Sequence, residues 1–174
     1  MHRIPWLARG AVFGALLMSS TAVLCQESGK EQAALVAALR TKHVALATGI
    51  KSAAATGKPI SAKYEYADGK LQLSVYTERA GQFSEVIVDR RTGKIAKTEK
   101  ITEGDDLKAA QAQSAAASKA KASLARALAK ALSANRGYSA VSATATLKDG
   151  NAVAKITLIK GTQFKIVSQP LSKA

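Results

Sequence analysis

The sequence is short of the residues that build disulfide, metal and nucleophilic sites. It has a single cysteine, Cys25, and two histidines, of which only His43 lies beyond the N-terminal segment. One cysteine cannot form an intrachain disulfide, so the fold must be held together by burial of apolar side chains. Zinc sites need about four nitrogen or sulfur ligands, which no cluster here can supply. We predict no metal site and no cofactor.

Residue patterns typical of enzymes are also missing. The serines are scattered and none lies in a G-x-S-x-G turn, and His43 lies inside a predicted helix. Glu103, Asp105 and Asp106 come just before or at the start of another predicted helix, where negative charge stabilises the positive end. Neither a calcium loop nor a glycine-rich phosphate loop is present. We therefore predict a non-enzymatic protein without catalytic residues.

The N-terminus has the pattern of a secretory signal peptide. Arg3 and Arg9 precede the uncharged run "AVFGALLMSSTAVLC", which ends at Cys25. A membrane span takes about 20 apolar residues, and this run is shorter and contains small polar residues, so we expect no membrane-spanning helix. Cleavage is predicted after Ala22 or after Cys25. Because Leu24 is larger than the residue that usually precedes a lipidated cysteine, we expect a periplasmic or secreted protein without a lipid anchor.

Acidic residues are few compared with basic ones. The chain has 26 Lys and Arg but 12 Asp and Glu, a net charge of +14, which falls to +12 when Arg3 and Arg9 are removed with the signal. Such a charge favours anionic partners. For an exported protein these are lipid headgroups, envelope polymers or acidic protein surfaces. Clustered arginines and stacking aromatic residues are missing, so no nucleic-acid partner is predicted.

Helical and strand patterns alternate along the rest of the chain. A predicted helix begins at Ser28 and ends before "TGKPI", and four strand-like runs follow: "ISAKYEYA", "KLQLSVYTE", "QFSEVIVD" and "KIAKTEKI". A long alanine-rich helix is then predicted up to Gly137, with Leu124, Leu128 and Leu132 on one face. One helix followed by antiparallel strands predicts an α+β fold.

The two halves of the chain match each other. "ISAKYEYADGK", from Ile60, matches "VSATATLKDGN", from Val141, and "QFSEV" then falls without a gap on "QFKIV", so matched positions are 81 residues apart. This indicates an internal duplication of a helix followed by strands, without the last strand in the second copy. Because each copy is small, we expect a shared or continuous sheet with both helices on one side. The predicted boundaries are a signal peptide over 1–25, a first unit over 26–104 and a second, degenerate unit over 105–174.

A sheet covered on one face leaves its other face open to a partner, and an edge strand can accept an extended peptide. If the apolar side chains of "KLQLSVY" point inward, the alternate ones point outward, namely Gln72, Ser74 and Tyr76. We take these three as candidate binding residues. The alternative is that this face is only solvated.

The stretch "VIVDRRTGKI" predicts a strand, a tight turn and the start of another strand. Asp89 can accept hydrogen bonds from the backbone beyond it, and Gly93 can take a positive φ. The stretch resembles the end of the PepSY domain: a hydrophobic strand, an aspartate, two variable residues, Thr-Gly, a basic or polar residue and an aliphatic one. Asp89, Thr92 and Gly93 carry this signature. Arg90 and Arg91 occupy the variable positions. We expect both side chains to be exposed and charged, and we take them as candidate binding residues.

The resemblance implies an exported bacterial protein that binds a protein or peptide, with a peptidase as the candidate partner to be regulated or inhibited. Two such units in tandem are also similar to the plan of beta-lactamase inhibitor proteins. The second copy has no matching aspartate and no Thr-Gly, so a function tied to that turn is expected in the first copy alone. The alternative is a cationic envelope-associated protein that binds anionic lipid or polymer.

Overall fold

The computed structural model describes residues 22–67 and 69–172, with side chains described from Lys30 onward. Residues 1–21 of the predicted signal peptide lie outside this range, as does Asp68, between the first two predicted strands. The elements in chain order are α1 (Ala22–Leu39), α2 (Leu46–Ala53), β1 (Lys58–Ala67), β2 (Lys70–Arg79), β3 (Gln82–Val88), β4 (Ile95–Ile101), α3 (Gly104–Ser118), α4 (Leu124–Ala134), β5 (Ser139–Lys148), β6 (Asn151–Lys160) and β7 (Gln163–Pro170).

The seven strands form one antiparallel sheet in the order β4-β3-β2-β1-β5-β6-β7. Consecutive strands joined by tight turns are neighbours, and β1 pairs with β5 at the centre. The predicted α+β class and the predicted continuous sheet are confirmed. The four strands predicted in the first half are also confirmed, because alternating apolar residues bury one side of each pleat.

Strand pairing repeats along the chain at an offset of 81 residues. The pairing of β1 with β2 has a register shift that leaves Ile60 without a partner residue on β2. The pairing of β5 with β6 has the same shift at Val141, which matches Ile60 in sequence. At the centre of the sheet Ala62 pairs with Ala143, which are themselves 81 residues apart. Antiparallel pairing of matched residues relates the two halves by a local two-fold axis through the middle of the sheet.

Helices cover both faces of the sheet. On one face α2 lies so close to β2 that a Cβ built on Gly49 would be 2.6 Å from Leu73 Cδ2, and α4 packs beside α2. On the other face α3 crosses the strands, with Lys58 Nζ donating to the Ala117 carbonyl at 2.6 Å. The prediction of helices on one side was wrong, because each half contains two helices instead of one.

Each predicted long helix is broken by a connection that is bonded to the end of a strand. Between α1 and α2 the Val44 N–H donates to the Arg90 carbonyl at 2.7 Å, and between α3 and α4 the N–H groups of Lys121 and Ala122 donate to the Leu171 carbonyl at 2.6 and 2.9 Å. These tertiary bonds override the helix propensity of the alanine-rich segments. The predicted start at Ser28 was also wrong, because Ser28 lies within α1.

The main core lies between the sheet and the pair α2 and α4. Leu46 and Ile50 of α2 and Leu124 and Leu128 of α4 are buried there, as their helical spacing predicted, and Leu132 is half-buried. In the part of the chain that the structure describes, none of the helices is long and apolar enough to cross a membrane.

Candidate functional site

The turn after β3 is held by the Asp89 side chain. Its Oδ1 accepts from the N–H groups of Arg91 and Thr92 at 3.0 and 2.7 Å and from Thr92 Oγ1 at 2.8 Å. The Gly93 N–H donates to the Asp89 carbonyl, and the Asp89 N–H donates to the Lys94 carbonyl, both at 2.8 Å. The bonds from Thr92 and Arg91 lower the pKa of the Asp89 carboxyl below its ordinary value. The predicted hydrogen bonds from the backbone to Asp89 are confirmed. They hold the turn in place and use the Asp89 carboxylate to do so.

Gly93 joins this turn to helix α2. Its φ is +73°, and a Cβ at this position would lie 2.7 Å from Thr48 Cγ2. The Ser52 hydroxyl donates to the Gly93 carbonyl at 2.6 Å. Both the backbone conformation and the close approach of α2 therefore require glycine, which explains why Gly follows Thr92 in this turn.

The two arginines at the corner have different environments. Arg90 is half-buried and donates from Nη1 to the Lys42 carbonyl at 3.0 Å, so it ties the turn to the connection between α1 and α2. Arg91 is exposed. Together with Thr41 and Lys42 they line a shallow open depression. The expectation of exposed charge holds for Arg91 and is wrong for Arg90, because the neighbouring connection packs over its side chain.

Gln72, Ser74 and Tyr76 do share one side of β2, as the alternation predicted, but this side is covered. Ser74 is 1% exposed and Tyr76 is 6% exposed. The Tyr76 hydroxyl donates to Asp106 Oδ1 at 2.7 Å, which fixes the start of α3 over the sheet. Ser74 Oγ donates to Glu65 Oε1 at 3.0 Å, and Gln72 Nε2 donates to Ser74 Oγ at 2.9 Å. The expectation of an open face was wrong here, because α3 occupies it.

Acidic groups gather beneath α3 in this region. Burial raises the pKa of Glu85, and the negative charges of Glu65 and Asp106 raise it further, against the opposing charge of Lys63. Burial and the bond to Asp106 also raise the pKa of Tyr76. These shifts follow from packing between α3 and the sheet, and the polar groups bond to one another instead of facing a cavity.

His43 and Tyr64 form a small structural contact next to the connection between α1 and α2. Their rings meet edge to face with centroids 5.0 Å apart, and His43 Nδ1 lies 2.7 Å from the Thr41 carbonyl oxygen. The Tyr64 hydroxyl donates to the Val44 carbonyl at 2.5 Å, and burial raises the pKa of Tyr64 to about 12. Among the described residues no group of three His, Cys, Asp or Glu side chains is placed to hold a metal ion.

The predicted residues therefore do not form one site. The turn from Asp89 to Gly93 contacts α2 and its preceding connection, whereas Gln72, Ser74 and Tyr76 lie beneath α3 on the opposite face of the sheet. The outer edge of β7 was not identified as a site from the sequence. The sequence match pointed to this edge, since it places β7 on β3, whose outer side pairs with β4.

Strand β7 is the counterpart of β3, but no strand of the described residues pairs with its outer side. β3 pairs with β4, whereas β7 ends the sheet. The turn between β6 and β7 has two residues, so the flanking Lys160 and Gln163 form a hydrogen-bonded pair and alternate residues of β7 point their backbone groups outward. The outward residues are Phe164, Ile166 and Ser168. Within the described chain, no hydrogen bond involves their outward N–H and carbonyl groups.

The outer edge of β7 is weakly protected against pairing. Ile166 is 61% exposed and is the most exposed large hydrophobic residue of those described. The β4 edge carries the Lys97–Glu99 ion pair, whereas β7 carries one charge, Lys165, which donates to Asn135 Oδ1 at 2.7 Å on the opposite side of the strand from Ile166. Charged side chains on an edge strand commonly prevent it from pairing with a strand of another chain. β7 has little of this protection.

Positive charge is concentrated in the second half of the chain. Residues 105–174 contain 11 Lys and Arg against 3 acidic residues, Asp105, Asp106 and Asp149, a net charge of +8, whereas residues 26–104 contain 13 against 9, a net charge of +4. The half with the open sheet edge is therefore the half that attracts anions more strongly.

Comparison with known proteins gives little beyond this geometry. No family model matches the chain, and no curated protein matches it. Among solved structures, the chain is similar to a protein from Clostridium difficile 630 that bears the provisional name of lipoprotein. The similarity has a TM-score of 0.37 and 17% identity, and covers 71% of this chain and 82% of that one.

Proposed function

We propose that this is an exported bacterial protein built from two tandem PepSY-like units, which binds a protein or peptide without catalysing a reaction. The support for the duplication is the strand pairing, which repeats at the same 81-residue offset as the sequence match. The support for the family is the turn at Asp89, whose Thr92 and Gly93 make the contacts that the signature residues suggest. A peptidase is the candidate partner that the resemblance implies.

The observation that carries the binding function is the open edge of β7. In the first half an equivalent strand is covered by β4, so the fold itself contains an example of a strand added at this position. A sheet edge with unpaired N–H and carbonyl groups can bind an extended segment through backbone hydrogen bonds. Catalysis is not proposed, because His43 and the acidic groups beneath α3 are held in contacts that stabilise the fold.

A second candidate function is association with anionic lipid or polymer of the bacterial envelope. The net charge of +8 in residues 105–174 favours it. Binding of this kind is screened by salt, because the Debye length shortens from about 10 Å at 0.1 M to about 3 Å at 1 M. Backbone pairing at a sheet edge depends much less on ionic strength.

The test is capture from envelope extract at low and at high salt, with the purified protein immobilised. We expect a protein partner to be retained at both salt concentrations, and identification by mass spectrometry is followed by direct binding of that purified partner. Recovery of lipid or polysaccharide alone, lost at high salt, would overturn the proposal in favour of the cationic alternative.

A further inference from the structure

We infer that the ligand is an extended segment of a partner protein, with apolar and acidic residues in alternation, which adds to β7 as an antiparallel strand. The inference rests on the proposed function and names the ligand class for the same edge. It follows from three properties of β7: the direction of its free backbone groups, the side chains on its two faces, and the charge around it.

The first half of the molecule gives the pairing that the ligand is expected to take. On β3 the residues that match Phe164 and Ile166 are Phe83 and Glu85, which pair with Ile101 and Glu99 of β4. A ligand strand in this register bonds to the outward groups of Phe164, Ile166 and Ser168. Pro170, which has no N–H, falls at the next outward position and therefore leaves the ladder to β6 intact.

The edge is left open by the path of the chain beyond β7. The Leu171 N–H donates to the Ala152 carbonyl at 3.0 Å, and the Leu171 side chain is buried. The Leu171 carbonyl accepts from the connection between α3 and α4. Through Ser172, the last described residue, the chain therefore turns toward these helices and does not run along β7.

One face of the edge favours apolar ligand side chains. Phe164 is half-buried and Ile166 is exposed on the same face of β7. Beside Phe164 a shallow groove runs along α1, lined by Ala33 and Val36 among others. Ligand residues opposite Phe164 and Ile166 share this face, and their apolar side chains can cover Ile166 and extend toward the groove.

The other face favours acidic ligand side chains. Lys165 lies on it, and the Nζ atoms of Lys160 and Lys165 lie 6.0 and 5.8 Å from the centroid of the Tyr138 ring. A ligand residue opposite Lys165 has its side chain beside these two ammonium groups. Opposite charges at such cross-strand positions attract, and like charges repel.

A second copy of this chain is a poorer occupant of the edge. Pairing β7 with β7 of another molecule brings together two halves of net charge +8 each. An acidic segment instead gains from the same charge, which also speeds its association. Charge complementarity therefore selects an acidic partner strand over self-association.

The experiment measures binding of end-capped nine-residue peptides by isothermal titration calorimetry and by NMR shifts of the backbone amides. The probes are a peptide of alternating valine and glutamate, one of alternating valine and lysine, and unstructured polyglutamate. We expect the valine–glutamate peptide to bind with shifts at Phe164, Ile166 and Ser168, and the valine–lysine peptide to bind at least about tenfold more weakly.

Two matched variants test the backbone pairing. Ile166→Pro removes one outward N–H without touching the ladder to β6, and Ile166→Val keeps that N–H with a similar side chain. We expect both variants to fold, and Ile166→Pro to bind the valine–glutamate peptide at least about tenfold more weakly than Ile166→Val. Equal binding by the two variants, or equal binding of polyglutamate, would overturn strand addition. A dimer in sedimentation that Ile166→Pro abolishes would assign the edge to a second copy instead.

The two proposals can fail separately. If the purified partner identified by capture binds equally well to Ile166→Pro and Ile166→Val, the strand-addition inference is wrong and the protein-binding function stands. If no protein partner is captured and the valine–glutamate peptide fails to bind, both are wrong.

Discussion

The two halves of the sheet share one pattern of strand pairing and differ at their outer edges. In the first half β3 is covered by β4, and in the second half the matching strand β7 is open. The covered half carries 9 of the 12 acidic residues and has a net charge of +4, whereas the open half has a net charge of +8. The same pairing scheme thus supports a closed, polar edge on one side and an open, cationic edge on the other.

The end of the third strand in each half is anchored in a different way. Arg90 and Leu171 occupy matching positions, and each accepts backbone hydrogen bonds from the connection between two helices through its carbonyl oxygen. The Arg90 side chain reaches the Lys42 carbonyl, whereas the Leu171 side chain is 2% exposed. The first half therefore uses a polar contact where the second half uses burial.

The largest expected effect comes from removing the buried anchor of the second half, and the matched substitution removes the polar anchor of the first half. Leu171→Ala should lower the free energy of unfolding by about 2–5 kcal/mol, because it leaves a cavity in the core. Arg90→Ala should lower it by about 0.5–1.5 kcal/mol, the net value of a partly exposed hydrogen bond. Urea denaturation of both variants checks this, and equal losses would show that the halves are anchored alike.

A smaller effect is expected at the turn that the second half lacks. Gly93→Ala should cost about 2–3 kcal/mol, since it combines a positive φ with a Cβ that meets Thr48 Cγ2. The control in the second half is Gly150→Ala, where φ is +77° and no atom lies within 4 Å of the added Cβ. That substitution should cost about 1 kcal/mol, the backbone term alone.

Thr48→Ser separates the steric part of the Gly93 effect, because it deletes the methyl group that the new Cβ would meet. Combined with Gly93→Ala, it should restore roughly half of the lost stability in thermal or urea denaturation. If the double variant is no more stable than Gly93→Ala, the close approach of α2 is not the reason for glycine at this position.

Local patterns predicted the strands and the turn well, because the information lies in neighbouring residues. Alternating apolar side chains indicated β1 to β4, and Asp89 and Gly93 indicated the turn. The matching strand positions, such as Ile60 and Val141, also follow from the sequence alone. The repeated order of the strands could thus be inferred from the sequence, without any tertiary contact.

The helices and the exposure of the candidate residues could not be predicted in this way. The breaks after α1 and α3 depend on bonds to the Arg90 and Leu171 carbonyls, which are distant in sequence. The burial of Ser74 and Tyr76 depends on α3 crossing their face, and alanine-rich α3 has no strong apolar stripe to indicate it. Alternation shows which residues share a face but not what covers that face.

The smallest expected effect concerns Glu85, whose match in the second half is Ile166. Because its pKa is raised in the folded protein, Glu85 stabilises the fold when protonated, and this contribution is lost as pH rises from the ordinary glutamate pKa through the folded one. Glu85→Gln should therefore leave Tm nearly unchanged at low pH and raise it slightly at pH 7. Glu99→Gln, the neighbour on β4 that pairs with Lys97 at 2.6 Å, should give no gain. If Glu85→Gln lowers Tm at pH 7, the buried carboxylate stabilises the covered edge, and the acidic residues beneath α3 strengthen the first half instead of weakening it.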